Sequence, residues 1–150
     1  MKRVLFVCTG NTCRSPMAEA MLKHKRQDLE VKSAGIFAGF GQEANPKAVE
    51  ALKEKGITCD HQSQPLTDDL LDWADVVLTM TAHHKLNIEM DYPKYRQKVY
   101  TLKEYTRLND EDLNPDIADP IGLSNETYKQ TLEEIEAYID RLSQKQGDES

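Results

Sequence analysis

The chain has 150 residues, 39% hydrophobic and 30% charged, which suits one domain with a substantial core and excludes a disordered chain. No apolar run approaches the length needed to span a membrane. The net charge of -7 argues against nucleic acid or an acidic membrane surface as the main partner.

Arg3 to Val7 is a β-branched and aromatic run that reads as a strand buried on both faces. With its basic start it is too short for a signal peptide and leads straight into turn residues. Ser15-Pro16 reads as a helix start, Ser15 capping and Pro16 at the first helical position, and the helix runs to about Gln27. Leu29 to Lys32 reads as a short strand, and the glycine-rich 33–46, with Phe37 and Phe40, as a loop. Pro46 opens a second helix that Gly56 stops. A short helix near Thr67–Trp73, a strand over Asp75–Met80, a helix over Thr81–Met90 and a last strand over Lys98–Leu102 follow. Residues 108–123 read as irregular, with Glu104, Tyr105 and 109–112 as solvated loop.

From Ser124 the spacing of Tyr128, Leu132, Ile135, Ile139 and Leu142 predicts one long helix with an apolar stripe, frayed over about 144–150. Strands alternating with helices predict an α/β fold, a small doubly wound parallel sheet in a single domain over 1–150. Ligands of such sheets bind at the carboxyl ends of strands, where the strand order reverses. Cys8, Cys13 and Cys59 are an odd count, which points to a reducing cytoplasm and thiols kept for chemistry or packing.

The chemistry is concentrated in Cys8-Thr-Gly-Asn-Thr-Cys-Arg14-Ser15, between the first strand and the first helix. A loop of this length points successive backbone N–H groups inward as an anion nest, and the helix N-terminus adds its positive end. Gly10 is expected to supply the unusual backbone conformation, and Arg14 the planar fork that matches two phosphate oxygens. The same donors stabilise a thiolate at Cys8, and the Ser15 hydroxyl can bond the sulfur or the loop. The result is an anion cradle with a nucleophile at its floor, suited to a phosphocysteine intermediate. Cys8, Cys13, Cys59 and His61 also add up to four metal ligands, but the spacing lacks a C-x2-C pair and Arg14 opposes a cation, so neither metal nor cofactor is expected.

"VLFVCTGNTCRSPMAEA" closely resembles the signature of the low-molecular-weight protein tyrosine phosphatases, and "SAG" at 33–35, "ADVVLTM" at 74–80 and "ADP" at 118–120 extend the resemblance along the chain. It implies a four-stranded parallel sheet, with Cys8 as nucleophile, Arg14 as phosphate clamp and Asp119 as general acid. Phosphate is then held by Thr9, Gly10, Asn11, Thr12, Cys13, Arg14 and Ser15; Asn11 and Ser15 support the loop, with His61 in the same polar network. Cys13 resembles the neighbouring cysteine that forms a reversible disulfide with the nucleophile under oxidation. A leaving group on phosphorus needs a proton, which a placed carboxylic acid gives and later recovers from water.

Family members specific for tyrosine often carry an aliphatic residue at the position of Thr12 and tyrosines directly after the Asp-Pro. Here Thr12 and "DPIG" at 119–122 resemble the bacterial protein-arginine phosphatases of the same fold. Thr12 and Phe37, the latter over one side of the slot as the resemblance implies, are the expected selectivity residues; Phe40 reads as core, wall or lid, and as readily as plain loop packing. The expected substrates are phosphorylated proteins, phosphoarginine before phosphotyrosine, with inorganic phosphate as product and the protein a monomer. An arsenate reductase would need further cysteines beyond Cys59, and a non-catalytic anion-binding module would not need nucleophile, clamp and acid together. His83-His84 reads as solvated surface, Trp73 and Leu70-Leu71 as packing on the sheet.

Overall fold

Four short strands, β1 (Arg3–Cys8), β2 (Glu30–Gly35), β3 (Val76–Thr79) and β4 (Val99–Thr101), pair in the order β2-β1-β3-β4, all parallel. A computed structural model describes residues 2–107 and 114–148, with side chains through 144. The chain leaves β1 for β2 on one side and returns to β3 on the other. The strand order therefore reverses at the carboxyl end of β1, which is Cys8.

Both faces of the sheet are covered, as parallel strands require. Side chains alternate along β1: Val4, Phe6 and Cys8 enter one core, Leu5 and Val7 the other. The first core lies under α1 (Arg14–Lys25), α2 (Pro46–Glu54) and α6 (Asn125–Asp148). The second lies under α3 (Asp68–Trp73) and α4 (Ala82–Asp91). Tyr128, Leu132, Ile135, Ile139 and Leu142 are all fully buried, so the stripe read from α6 is the seam of the first core. Burying each such side chain is worth roughly 1.5–3 kcal/mol. No helix among the described residues is long and apolar enough to cross a membrane.

Several boundaries differ from the sequence reading. Residues 33–35 are not loop: β2 continues to Gly35, pairing Ser33, Ala34 and Gly35 with Phe6, Val7 and Cys8. An added Cβ at Gly35 would stand 2.6 Å from the Thr9 carbonyl oxygen and 2.9 Å from the Asn11 nitrogen, so only glycine lets β2 pass the loop here. Ser15 is not the cap of α1, because Cys13 holds that position without a capping side chain and Ser15 lies inside the first turn. Glu104 and Tyr105 are not loop but end α5 (Leu102–Tyr105), where Thr101 and Glu104 form a reciprocal capping box. Lys85 adds bonds of 2.8 and 3.0 Å to Glu104. The backbone of α6 is helical to Asp148, and the acidic stretch at 109–112 lies outside the described residues.

Candidate active site

β1 delivers Cys8 to the top of the sheet, and the chain wraps through residues 9–13 before α1 begins at Arg14. The positive backbone angle lies at Asn11 (φ 57°), not at Gly10. Asparagine tolerates this conformation, and here its side chain is fully used. Asn11 Nδ2 donates to Ser15 Oγ at 2.8 Å and to Ser33 Oγ at 2.9 Å, while Oδ1 accepts from the Gln64 backbone at 3.0 Å. The Asn11 carbonyl lies 2.7 Å from His61 Nε2. Behind it, Glu19 takes the Ser33 hydroxyl at 2.5 Å and lies 3.6 Å from His61 Nδ1. Burial alone would raise the Glu19 carboxyl, but hydrogen bonds from His61, Lys23 and Ser33 hold it below the usual range.

This network ends on the sulfur. Ser15 Oγ lies 2.9 Å from Cys8 Sγ. Because Asn11 Nδ2 donates to Ser15 Oγ, the serine proton is left free for the sulfur. Cys8 is 3% exposed, at the bottom of a cavity of about 130 Å³ lined by Thr9, Gly10, Thr12, Cys13, Arg14, Asp119 and Ile121. Arg14 is buried, with Nη1 donating to the Ile117 carbonyl at 2.8 Å and Nη2 lying 3.5 Å from Asp119 Oδ2. Asp119 Oδ1 accepts the Ile121 N–H at 3.1 Å, which turns the half-exposed carboxylate over the cavity mouth. A larger cavity of about 340 Å³, lined by Glu19, Lys23, Cys59 and His61 among others, lies behind the loop and holds none of Cys8, Arg14 or Asp119.

The structure thus brings Cys8, Thr9, Gly10, Thr12, Cys13, Arg14 and Asp119 onto one cavity, with Asn11, Ser15 and His61 behind it. Cys13 is buried with Sγ 3.4 Å from the Tyr128 hydroxyl. Burial pushes its thiol up, against hydrogen bonds from Tyr128 and Thr12. Phe37 departs from expectation: its ring is 78% exposed and lines no part of the cavity, while its backbone N–H donates to the Thr9 carbonyl at 2.9 Å. Phe40 is likewise 80% exposed, not core. His84 is not solvated surface but buried, with Nε2 2.8 Å from Thr9 Oγ1.

The sequence reading gave no site role to Glu19 or Gln64, nor to Ser33 of the matching "SAG" or to His84, which it read as surface. Glu19 lies one helical turn beyond Ser15 on α1, a spacing that places both on one face. Ser33 and His84 arrive through the register of β2 and the packing of α4, which leave no mark in a local pattern.

Residues 3–149 match the family model described as low molecular weight phosphotyrosine protein phosphatase. A curated protein-arginine-phosphatase of Geobacillus stearothermophilus is 49% identical over 144 residues, covering 95% of each chain. The solved YwlE arginine phosphatase of that organism superposes with a TM-score of 0.93 at 47% identity, covering 99% of this chain and 95% of its own. A low molecular weight protein tyrosine phosphatase of T. tengcongensis superposes at 0.89 with 46% identity, covering 97% of this chain and 99% of its own. With the cysteine, arginine and aspartate gathered on one cavity at the strand-order switch, the chain belongs to the low molecular weight phosphotyrosine protein phosphatase family.

Proposed function

We propose that this protein hydrolyses phosphoarginine in proteins through a phosphocysteine intermediate. The observation that carries the reading is the single small cavity on which Cys8, Arg14 and Asp119 converge. The phosphoryl group sits in the loop with its oxygens on the backbone N–H groups and the Arg14 fork. Cys8 Sγ attacks phosphorus, the P–N bond breaks, and protonated Asp119 gives its proton to the departing guanidine nitrogen. Water then attacks phosphorus, Asp119 takes its proton, and the S–P bond breaks to release inorganic phosphate and the thiolate. Asn11, Ser15 and His61 act as supports that fix the loop and aim a donor at the sulfur.

Thr12 and Asp119 favour arginine. A phenol ring gains from apolar walls on both faces, whereas a guanidinium presents only N–H donors and needs oxygens around it. Thr12 Oγ1 and the Asp119 carboxylate supply oxygens on this cavity, and the wall after Asp119-Pro120 is Ile121-Gly122 rather than aromatic. Phosphotyrosine is the second reading, favoured by the family description and by the tyrosine phosphatase at 46% identity. Cys13, buried beside the nucleophile loop, is the partner we assign to a reversible Cys8 disulfide. We place the protein in the cytoplasm, as a monomer, on the strength of its three free cysteines and net charge of -7.

Acid quenching during turnover of a phosphate-labelled phosphoarginine peptide tests the route. Label trapped on Cys8 supports it; rapid turnover with label on no cysteine overturns it.

A further inference from the structure

His84 lies 75 residues beyond Thr9, yet its Nε2 is 2.8 Å from the Thr9 hydroxyl oxygen. The ring is 5% exposed, and its Nδ1 is buried without a hydrogen-bond partner among the described residues. Burial, then the charge of Arg14, keeps this imidazole neutral, with its pKa drawn down to about 4. A neutral imidazole has one N–H and one bare nitrogen. Buried N–H groups without partners are rarer than unpartnered acceptors, so the proton belongs on Nε2 and the bare nitrogen is Nδ1.

That assignment turns the Thr9 O–H away from His84. With Nε2–H donating to Thr9 Oγ1, the threonine must spend its own O–H elsewhere. Thr9 lines the cavity shared by Cys8, Arg14 and Asp119. Its backbone is already held, since its carbonyl accepts the Phe37 N–H at 2.9 Å, so the hydroxyl rotor is the free part that His84 sets. We propose that His84 is a positioning residue that orients the Thr9 hydroxyl as a hydrogen-bond donor to the phosphoryl group in the cavity. The pair adds a side-chain donor to a site otherwise built from backbone N–H groups and Arg14. A donor fixed in advance stabilises charge on the phosphoryl oxygens without reorganising as the bond to sulfur forms. The proposal rests on the phosphatase reading of this cavity.

Two measurements test it. Nitrogen-15 NMR of the imidazoles at neutral pH should show His84 with a protonated Nε2 and a bare Nδ1. Kinetics and inorganic-phosphate binding should be compared for the parent, Thr9→Val, His84→Leu, His84→Gln and the Thr9→Val/His84→Leu pair. Thr9→Val and His84→Leu are each expected to lower kcat and weaken phosphate binding about ten-fold, the scale of one hydrogen bond to a charged group. The double variant should fall no further than the worse single one. Glutamine carries an N–H near the Nε2 position and should restore most of the loss. A proton on Nδ1, losses that multiply in the double variant, or glutamine no better than leucine at equal melting temperature would overturn the proposal. If His84→Leu does not fold, Thr9→Val and His84→Gln still decide it. The NMR and phosphate arms do not depend on which phosphorylated residue is the substrate. Failure of the parent to release phosphate from any phosphopeptide would instead sink the phosphatase reading.

Discussion

Ser15 Oγ lies 2.9 Å from Cys8 Sγ and at the same time accepts a hydrogen bond from Asn11 Nδ2 at 2.8 Å. The amide has no lone pair to offer at that nitrogen, so the serine hydroxyl is aimed at the sulfur. Removing it strips the attacking thiolate of a donor and leaves a buried amide hydrogen unpaired. Ser15→Ala is expected to lower kcat about ten-fold and stability by roughly 1–3 kcal/mol. Steady-state kinetics and chemical denaturation check both. An unchanged kcat would remove Ser15 from the account.

Asp119 is assigned to protonate the leaving nitrogen. Asp119→Asn keeps the shape and loses the proton, so turnover of a phosphoarginine peptide is expected to fall about 10²-fold or more. An activated aryl phosphate leaves readily as an anion and should lose much less. Equal losses on the two substrates would show that Asp119 shapes the cavity rather than donating a proton.

Much of this site was legible because its loop is local. Cys8, Arg14 and Ser15 lie within one turn of chain, and the strand–loop–helix order alone places them at a strand end. Asp119 was legible only by resemblance, since nothing in the spacing of acidic residues separates it from solvated ones. The αL position was assigned to Gly10, but the loop uses Asn11, whose amide also ties Ser15, Ser33 and Gln64 together. Phe37 illustrates the opposite limit: the resemblance put it over one side of the slot, while in the structure it is exposed and outside the residues that line the cavity. His84 reads as surface in the sequence because its partner, Thr9, lies across the β1/β3 junction.

Gly35 and Gly10 give a paired test of packing at the loop. A Cβ at Gly35 meets the Thr9 carbonyl at 2.6 Å and Ala38 Cβ at 2.8 Å, whereas at Gly10 the nearest atom is 3.8 Å away. Gly35→Ala is expected to cost about 1–3 kcal/mol and to distort the loop, and Gly10→Ala to stay within about 0.5 kcal/mol in stability. Thermal denaturation of both variants decides the matter, and the reverse order would contradict the geometry.

The buried polar groups predict how stability follows pH. Burial, then the charges of Arg14 and His83, lower the pKa of His84 from 6.5 to about 4 against the pull of Asp116 and Asp119. Between those values the unfolded chain binds a proton that the folded one does not. His84 therefore stabilises fully above 6.5 and loses that contribution as the pH falls toward 4. Glu19 has the same sign lower down: held below its ordinary 4.5, it stabilises above that value and loses the contribution as the pH falls through its folded pKa. Stability should drop as acid is added, by about 3 kcal/mol through the His84 window, and His84→Leu should flatten that part of the curve. A slope identical in the variant would contradict the assignment.

The central claim is the choice of phosphorylated residue, and it is tested most directly by kcat/KM on matched phosphoarginine and phosphotyrosine peptides. The parent and Thr12→Ile are compared, with Cys8→Ser as the blank. The account predicts that the parent prefers phosphoarginine by ten-fold or more, on the order of one well-placed polar contact. It also predicts that Thr12→Ile moves the ratio toward phosphotyrosine. A parent that prefers phosphotyrosine, with a ratio that Thr12→Ile leaves in place, would contradict it.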